Sequence, residues 1–143
     1  MKLRGAIVLL SAVVALQNAH SATVWSGLVM ARNASQPTPV PSQLDPIEGT
    51  LKGAFGYNQF EIIGEATKSL KTGEEDWLAS SKYFSLHVDA KGESHAAYLL
   101  NLKLYKEDDL LLETEAKLSK RSPLVIRGPM VGDGQLLLVL VVQ

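Results

Sequence analysis

From residue 58 onward the chain keeps a period of two, and no other feature limits its fold as tightly. Phe60, Ile62, Gly64 and Ala66 alternate with Glu61, Ile63, Glu65 and Thr67. Phe84, Leu86, Val88 and Ala90 alternate with Ser85, His87, Asp89 and Lys91. Leu100, Leu102 and Leu104 alternate with Asn101, Lys103 and Tyr105, and Leu112, Thr114, Ala116 and Leu118 with Glu113, Glu115, Lys117 and Ser119. Successive side chains of a strand point to opposite faces, so each run reads as a strand with one dry and one wet face. Pro123 to Arg127 adds a short strand. Gln135 to Val142, QLLLVLVV, adds a last one that is apolar on both faces. Such a strand needs cover on both sides, from a helix or a second sheet layer, which places it centrally.

Turn residues fall between the runs at Lys91-Gly92-Glu93-Ser94, Lys106-Glu107-Asp108-Asp109 and Gly132-Asp133-Gly134, so neighbouring strands are expected to pair as antiparallel hairpins in a meander. Before them, Leu44 to Tyr57 reads as one short helix. Asp45 is placed to cap it, Pro46 sits where a missing N–H is harmless, Glu48 completes a capping box and Gly56 ends it. Ile47, Leu51, Ala54 and Phe55 give that helix one apolar face. The expected class is α+β, mainly β: an antiparallel sheet of about six strands, in one or two layers, with one short N-terminal helix.

The front of the chain has a different character. Lys2 and Arg4 precede the apolar stretch AIVLLSAVVAL, Ala6 to Leu16, which is the anatomy of a signal peptide. Gln17, Asn18 and His20 interrupt the stretch well short of the ~20 apolar residues a spanning helix needs. Ala19 and Ser21 suit the narrow pockets of a leader peptidase, so the mature chain is expected to begin at Ala22. The competing reading is an uncleaved anchor, because no Asp, Glu, Lys or Arg occurs between Arg4 and Arg32. Residues 32–43, RNASQPTPVPSQ, carry Pro37, Pro39 and Pro41 and read as an extended linker. The organisation expected is therefore a leader over 1–21, a Pro-rich tether over 22–43 and a single mainly-β domain over 44–143.

Charge narrows the function. Fourteen Lys and Arg stand against fifteen Asp and Glu, which leaves no basic field for a phosphate backbone and excludes a dedicated nucleic-acid binder. The chain has no cysteine, so export into an oxidising compartment would bring no disulfide framework and no lipid attachment through a thiol.

Candidate chemistry is sparse. Gly92-Glu93-Ser94-His95-Ala96 approaches the G-x-S-x-G nucleophile elbow, but that elbow needs a helix after it, and here a strand pattern follows. His87 and Asp89 share the polar face of one strand, where an imidazole beside a carboxylate suits acid–base work. Glu113 and Glu115 share another, and paired carboxylates are what glycoside hydrolysis uses. His87 and His95 lack metal-ligand spacing, and the clusters Glu74-Glu75-Asp76 and Glu107-Asp108-Asp109 lack the pattern of a calcium loop, so no metal and no cofactor are expected. The reading that results is an exported, periplasmic or extracellular binding or structural domain with a protein partner in a cell-envelope or secretion assembly. No membrane span is expected in the mature chain. Trp77, Tyr83 and Phe84, near a sheet edge, are the candidate partner-binding residues. The alternatives are a small envelope-polymer hydrolase using His87 and Asp89 or Glu113 and Glu115, and a small-molecule carrier with a cavity beside the last strand.

Overall fold

A computed structural model describes residues 21–143 apart from His95 and Arg121. The cationic start and apolar stretch of the leader lie outside the described residues. Among the described residues eight strands form two four-stranded antiparallel sheets. In chain order the elements are β1 (Ser21–Arg32), a 3-10 helix (Ser42–Ile47), α1 (Glu48–Phe55), β2 (Gln59–Lys71), β3 (Glu75–Ser80) and β4 (Phe84–Ser94). β5 (Ala97–Lys106), β6 (Asp109–Ser119), β7 (Leu124–Val131) and β8 (Gly134–Val142) follow. The first sheet has the order β2-β1-β8-β7, and the second is the meander β3-β4-β5-β6. The mainly-β class, the antiparallel pairing and the short helix agree with the sequence; two strands escaped it.

The molecule has three layers, and β8 shows why. Leu136, Leu138 and Leu140 enter the core between the sheets, with Leu86, Val88, Leu100, Leu102, Leu104 and Leu118 opposite. Leu137 and Val139 point the other way and pack under Leu44, Ile47 and Leu51 of the helical layer. The doubly apolar strand is thus covered by both candidates, the helix on one face and the second sheet on the other.

Strand β1 lies where the sequence reading placed the end of an apolar leader and the first half of a tether. Val24 and Leu28 face the inter-sheet core, and Trp25, Val29 and Ala31 face the helix. Like β8 it is apolar on both sides, so it has no polar phase and shows no period of two. The residues that an uncleaved anchor would carry into a membrane, Val24, Trp25, Leu28, Val29 and Met30, are strand residues here. Among the described residues no helix is long and apolar enough to cross a membrane. The Pro-rich stretch after β1 is strapped to the domain by two side chains of the loop before β2 and its first residue. Asn58 accepts from the Ala34 N–H at 2.8 Å and donates to the Ala34 carbonyl at 3.0 Å. Gln59 accepts from the Thr38 N–H at 2.8 Å and donates to the Thr38 hydroxyl at 2.7 Å.

The helix is shorter than its apolar pattern. Residues 42–47 are 3-10, α1 begins only at Glu48, and neither helical segment has a side-chain cap. Asp45 therefore does not cap, and Glu48 pairs with Lys52 at 2.9 Å rather than closing a capping box. Pro46 contributes to this: it has no N–H to bond the Ser42 carbonyl, so an α ladder cannot run through it. Gly56 ends α1 in the left-handed conformation, at φ 72°.

Two hairpins turn where expected, at Glu107-Asp108 and at Gly132-Asp133. The β4–β5 turn does not lie at Lys91–Ser94. β4 continues to Ser94, opposite Ala97, and its register slips between Ala90 and Gly92, so Gly92 marks a bulge instead. β3 was hidden because it is short and opens with Glu75 and Asp76, which read as part of a solvated acidic turn. The faces do not suit a membrane barrel: the inter-sheet space is apolar, one outer face is covered by the helical layer and the other carries Glu, Asp and Lys. That is the reverse of the apolar-out arrangement of a membrane barrel.

Candidate functional site

The two pairs His87 and Asp89, and Glu113 and Glu115, fall on the outer face of the second sheet. Strand register sets them in two rows. Glu75, Asp89, Asn101 and Glu115 stand opposite one another across β3, β4, β5 and β6, and Trp77, His87, Lys103 and Glu113 form the next row. Sharing a face does not bring them to one reacting point. Lys103 stands between His87 and Glu113, which are two strand spacings apart, roughly 10 Å. Three of the carboxylates already have a partner: Asp89 accepts from Lys91 at 3.0 Å, Glu113 accepts from the Asn101 amide at 3.0 Å, and Glu75 lies 3.5 Å from His87 Nε2. The Asp89 hydrogen bond, and then its charge, hold the Lys91 ammonium above the ordinary lysine range.

His87 is the most enclosed of these groups, its side chain 15% exposed. Trp77 meets its ring edge-on at 4.9 Å, and Trp77 in turn lies 5.7 Å from Tyr105. Nδ1 of His87 is buried with no hydrogen-bond partner. An orphaned buried nitrogen costs on the order of 1–3 kcal/mol, and here it lies beneath a half-exposed tryptophan.

The partner-binding candidates divide. Trp77 is 51% exposed and Tyr83 49%, whereas Phe84 is buried in the inter-sheet core. Alternation accounts for this, since Phe84 is in phase with Leu86 and Val88 while Tyr83 precedes the strand. Two exposed leucines join the aromatic end. Tyr105 pairs with Leu110, itself 49% exposed, and a register slip after Leu104 leaves Leu111 outward as well. The Tyr83 carbonyl accepts from the Glu107 N–H at 2.8 Å, which fixes Tyr83 beside the β5–β6 hairpin. Trp77, Tyr83, Tyr105 and Leu110 thus gather at one end of the second sheet. Tyr105 and the leucines were missed; the available signal was an aromatic ring in the polar phase of β5, after Asn101 and Lys103.

The edges differ too. β3 borders the second sheet on one side, but its Ala79 N–H is taken by the buried Ser26 hydroxyl of β1 at 2.9 Å. β6 borders the other side and carries Asp109, Glu113, Glu115 and Lys117, the charges that guard an open edge. A shallow depression of about 360 Å³ lies on this face, lined by Lys91, Leu99, Leu100, Glu115, Ala116 and Lys117. It gathers neither His87 nor Glu113. Beside the end of β8 a depression of about 210 Å³ is lined by Pro46, Ser119, Pro123, Val141 and Val142. Between the sheets the last strand meets packed leucines. Ser94 stands at the end of β4 and Ala96 leads into β5, so no helix follows as a nucleophile elbow requires; His95 lies outside the described residues. Among the described residues no three His, Asp or Glu gather as a metal site.

Compared with protein-family models, with curated proteins and with solved structures, the chain matches none of them.

Proposed function

We propose that the chain is an exported, non-catalytic binding domain that serves as an accessory component of a cell-envelope or secretion assembly, periplasmic or extracellular, with a mature start at Ala22. Its partner is a protein, docked on the end of the second sheet formed by Trp77, Tyr83, Tyr105 and Leu110. The observation that carries this reading is the exposure of Trp77, Tyr83 and Leu110, with half-buried Tyr105 against Trp77, at one end of a sheet whose inner face is packed. Clustered exposed aromatics rimmed by charge are the composition of an interaction surface. The dispersal of His87, Asp89, Glu113 and Glu115 over an open face, with His87, Asp89 and Glu113 each engaged by a neighbour, favours binding over turnover. The place of Val24 to Met30 in β1 favours a removable leader over a retained anchor, because the apolar stretch left outside β1 is shorter than a bilayer needs.

The test is cross-linking of the tagged chain in its native envelope, followed by mass spectrometry of what is captured and of its own N-terminus. The expected result is a reproducible protein partner that the double variant Trp77→Ala, Tyr83→Ala no longer captures, with Ala22 as the first residue. Recovery of the chain alone, or capture unchanged in the variant, overturns the docking assignment. A first residue upstream of Ala22 overturns the leader.

A further inference from the structure

We infer that the leader can be removed only before β1 docks, so that processing precedes folding of this domain. The inference rests on the exported reading above. The Ser21–Ala22 bond, where that leader would end, is the first peptide of β1. In the folded domain Ser21, Ala22 and Thr23 are in register with Lys71, Leu70 and Ser69 of β2. On the other side the Gln143 N–H donates to the Thr23 carbonyl at 2.8 Å. The Ala22 side chain is buried and belongs to the inter-sheet core.

A peptidase that reads an extended substrate with its own pockets competes for these same groups. To present Ser21–Ala22, the strand end must give up its β2 partners and the Gln143 bond, and Ala22 must leave the core. Opening of a strand end is a partial unfolding, with a population set by the contacts it breaks.

The topology also fixes when protection begins. β1 is an interior strand, and its partner opposite β2 is β8, with Ala31 facing Gln135 and Val24 facing Val142. Until residues 135–142 are available, one whole edge of β1 is unpaired. Leu28 then lacks Leu136 and Leu138 in its core, and Val29 lacks Leu137 and Val139 in the other. A strand that needs partners so distant in sequence docks late. The cleavage site therefore stays open while the chain is unfolded and fit to be threaded across a membrane, and closes when the domain does.

The full 143-residue chain, leader included, tests this. It is diluted from urea into buffer, and a purified signal peptidase in detergent is added either at once or after refolding; products are read by N-terminal sequencing. Cleavage after Ser21 is expected in the first sample and at least about tenfold slower in the second. The variant Leu138→Asp, which puts a charge in the inter-sheet core and keeps β8 from docking, is expected to be cut rapidly in both. Equal rates for the fresh and refolded intact chain, with the fluorescence of a Trp77→Phe background reporting a buried Trp25 in the refolded sample, overturn the inference and leave the exported reading intact. No cleavage after Ser21 in any sample overturns the exported reading and takes the inference with it.

Discussion

Ser26 ties three strands together, and its removal tests the corner where the two sheets meet. Its hydroxyl is fully buried in β1, accepts from the Ala79 N–H of β3 at 2.9 Å and lies 3.4 Å from the Ala66 carbonyl of β2. The second contact is long and contributes little, so the weight rests on Ala79. β3 slips in register between Trp77 and Ser80, which leaves that N–H without a ladder partner. In Ser26→Ala the buried donor has nothing to bond, at a cost of about 1–3 kcal/mol. With a urea slope of about 2 kcal/mol/M for a domain of this size, the unfolding midpoint falls by about 1 M while the slope is unchanged. Tryptophan fluorescence reports the transition, and hydrogen exchange reports the Ala79 amide directly. A midpoint within about 0.2 M of the parent, together with an Ala79 amide still protected, would refute the reasoning.

Other consequences are as specific. A Cβ at Gly53 meets open space in the middle of α1, so Gly53→Ala is expected to stabilise by about 0.5–1 kcal/mol in urea unfolding. A Cβ at Gly64 runs into the Ser80 backbone carbonyl, so Gly64→Ala destabilises, and the opposite signs of the pair are the check. His87→Phe replaces the orphaned Nδ1 with carbon inside the Trp77 and Tyr105 cluster; neutral to about 1 kcal/mol of added stability is expected, with partner capture retained. A catalytic His87 would instead show its loss as lost activity. Because the hydrogen bond to Asp89 raises the Lys91 value, the pair's contribution is present at neutral pH and disappears as pH rises through the folded value, above the ordinary lysine range. An NMR titration of the Lys91 side chain should therefore show a lower midpoint in Asp89→Asn, and an unchanged midpoint contradicts the assignment.

The sequence was most readable where one face is wet. β4, β5 and β6 each alternate polar with apolar residues, which puts His87, Asn101 and Lys103 on one face; the register that pairs His87 with Lys103 depends on the bulge at Gly92 and the turn after Ser94. β8 was readable by length and composition despite its two dry faces, because turns bounded it. β1 has the same doubly apolar pattern but adjoins another apolar run with no turn between them, so the two merged. That difference is physical: a strand buried on both sides has no solvent to mark its period. The helix start was misplaced because Pro46 and Asp45 satisfy a capping pattern locally while the backbone takes a 3-10 course. At the site, Trp77, Tyr83 and Phe84 were visible only as an aromatic segment near a sheet edge, and Phe84 was not separated from the other two although its phase with Leu86 places it inside. The gathering of Tyr105 and Leu110 beside Trp77 depends on the meander register and on the slip after Leu104, which no local pattern carries.

The claim that the Trp77 end of the second sheet is the docking surface is tested most directly by a photo-reactive residue placed there in the native envelope. One chain carries it at Tyr83, and another carries it at Lys52, on the helical layer covering the opposite sheet. A discrete protein adduct from Tyr83 and none from Lys52 is the predicted result. Adducts from Lys52 alone, or none from either position, would contradict it.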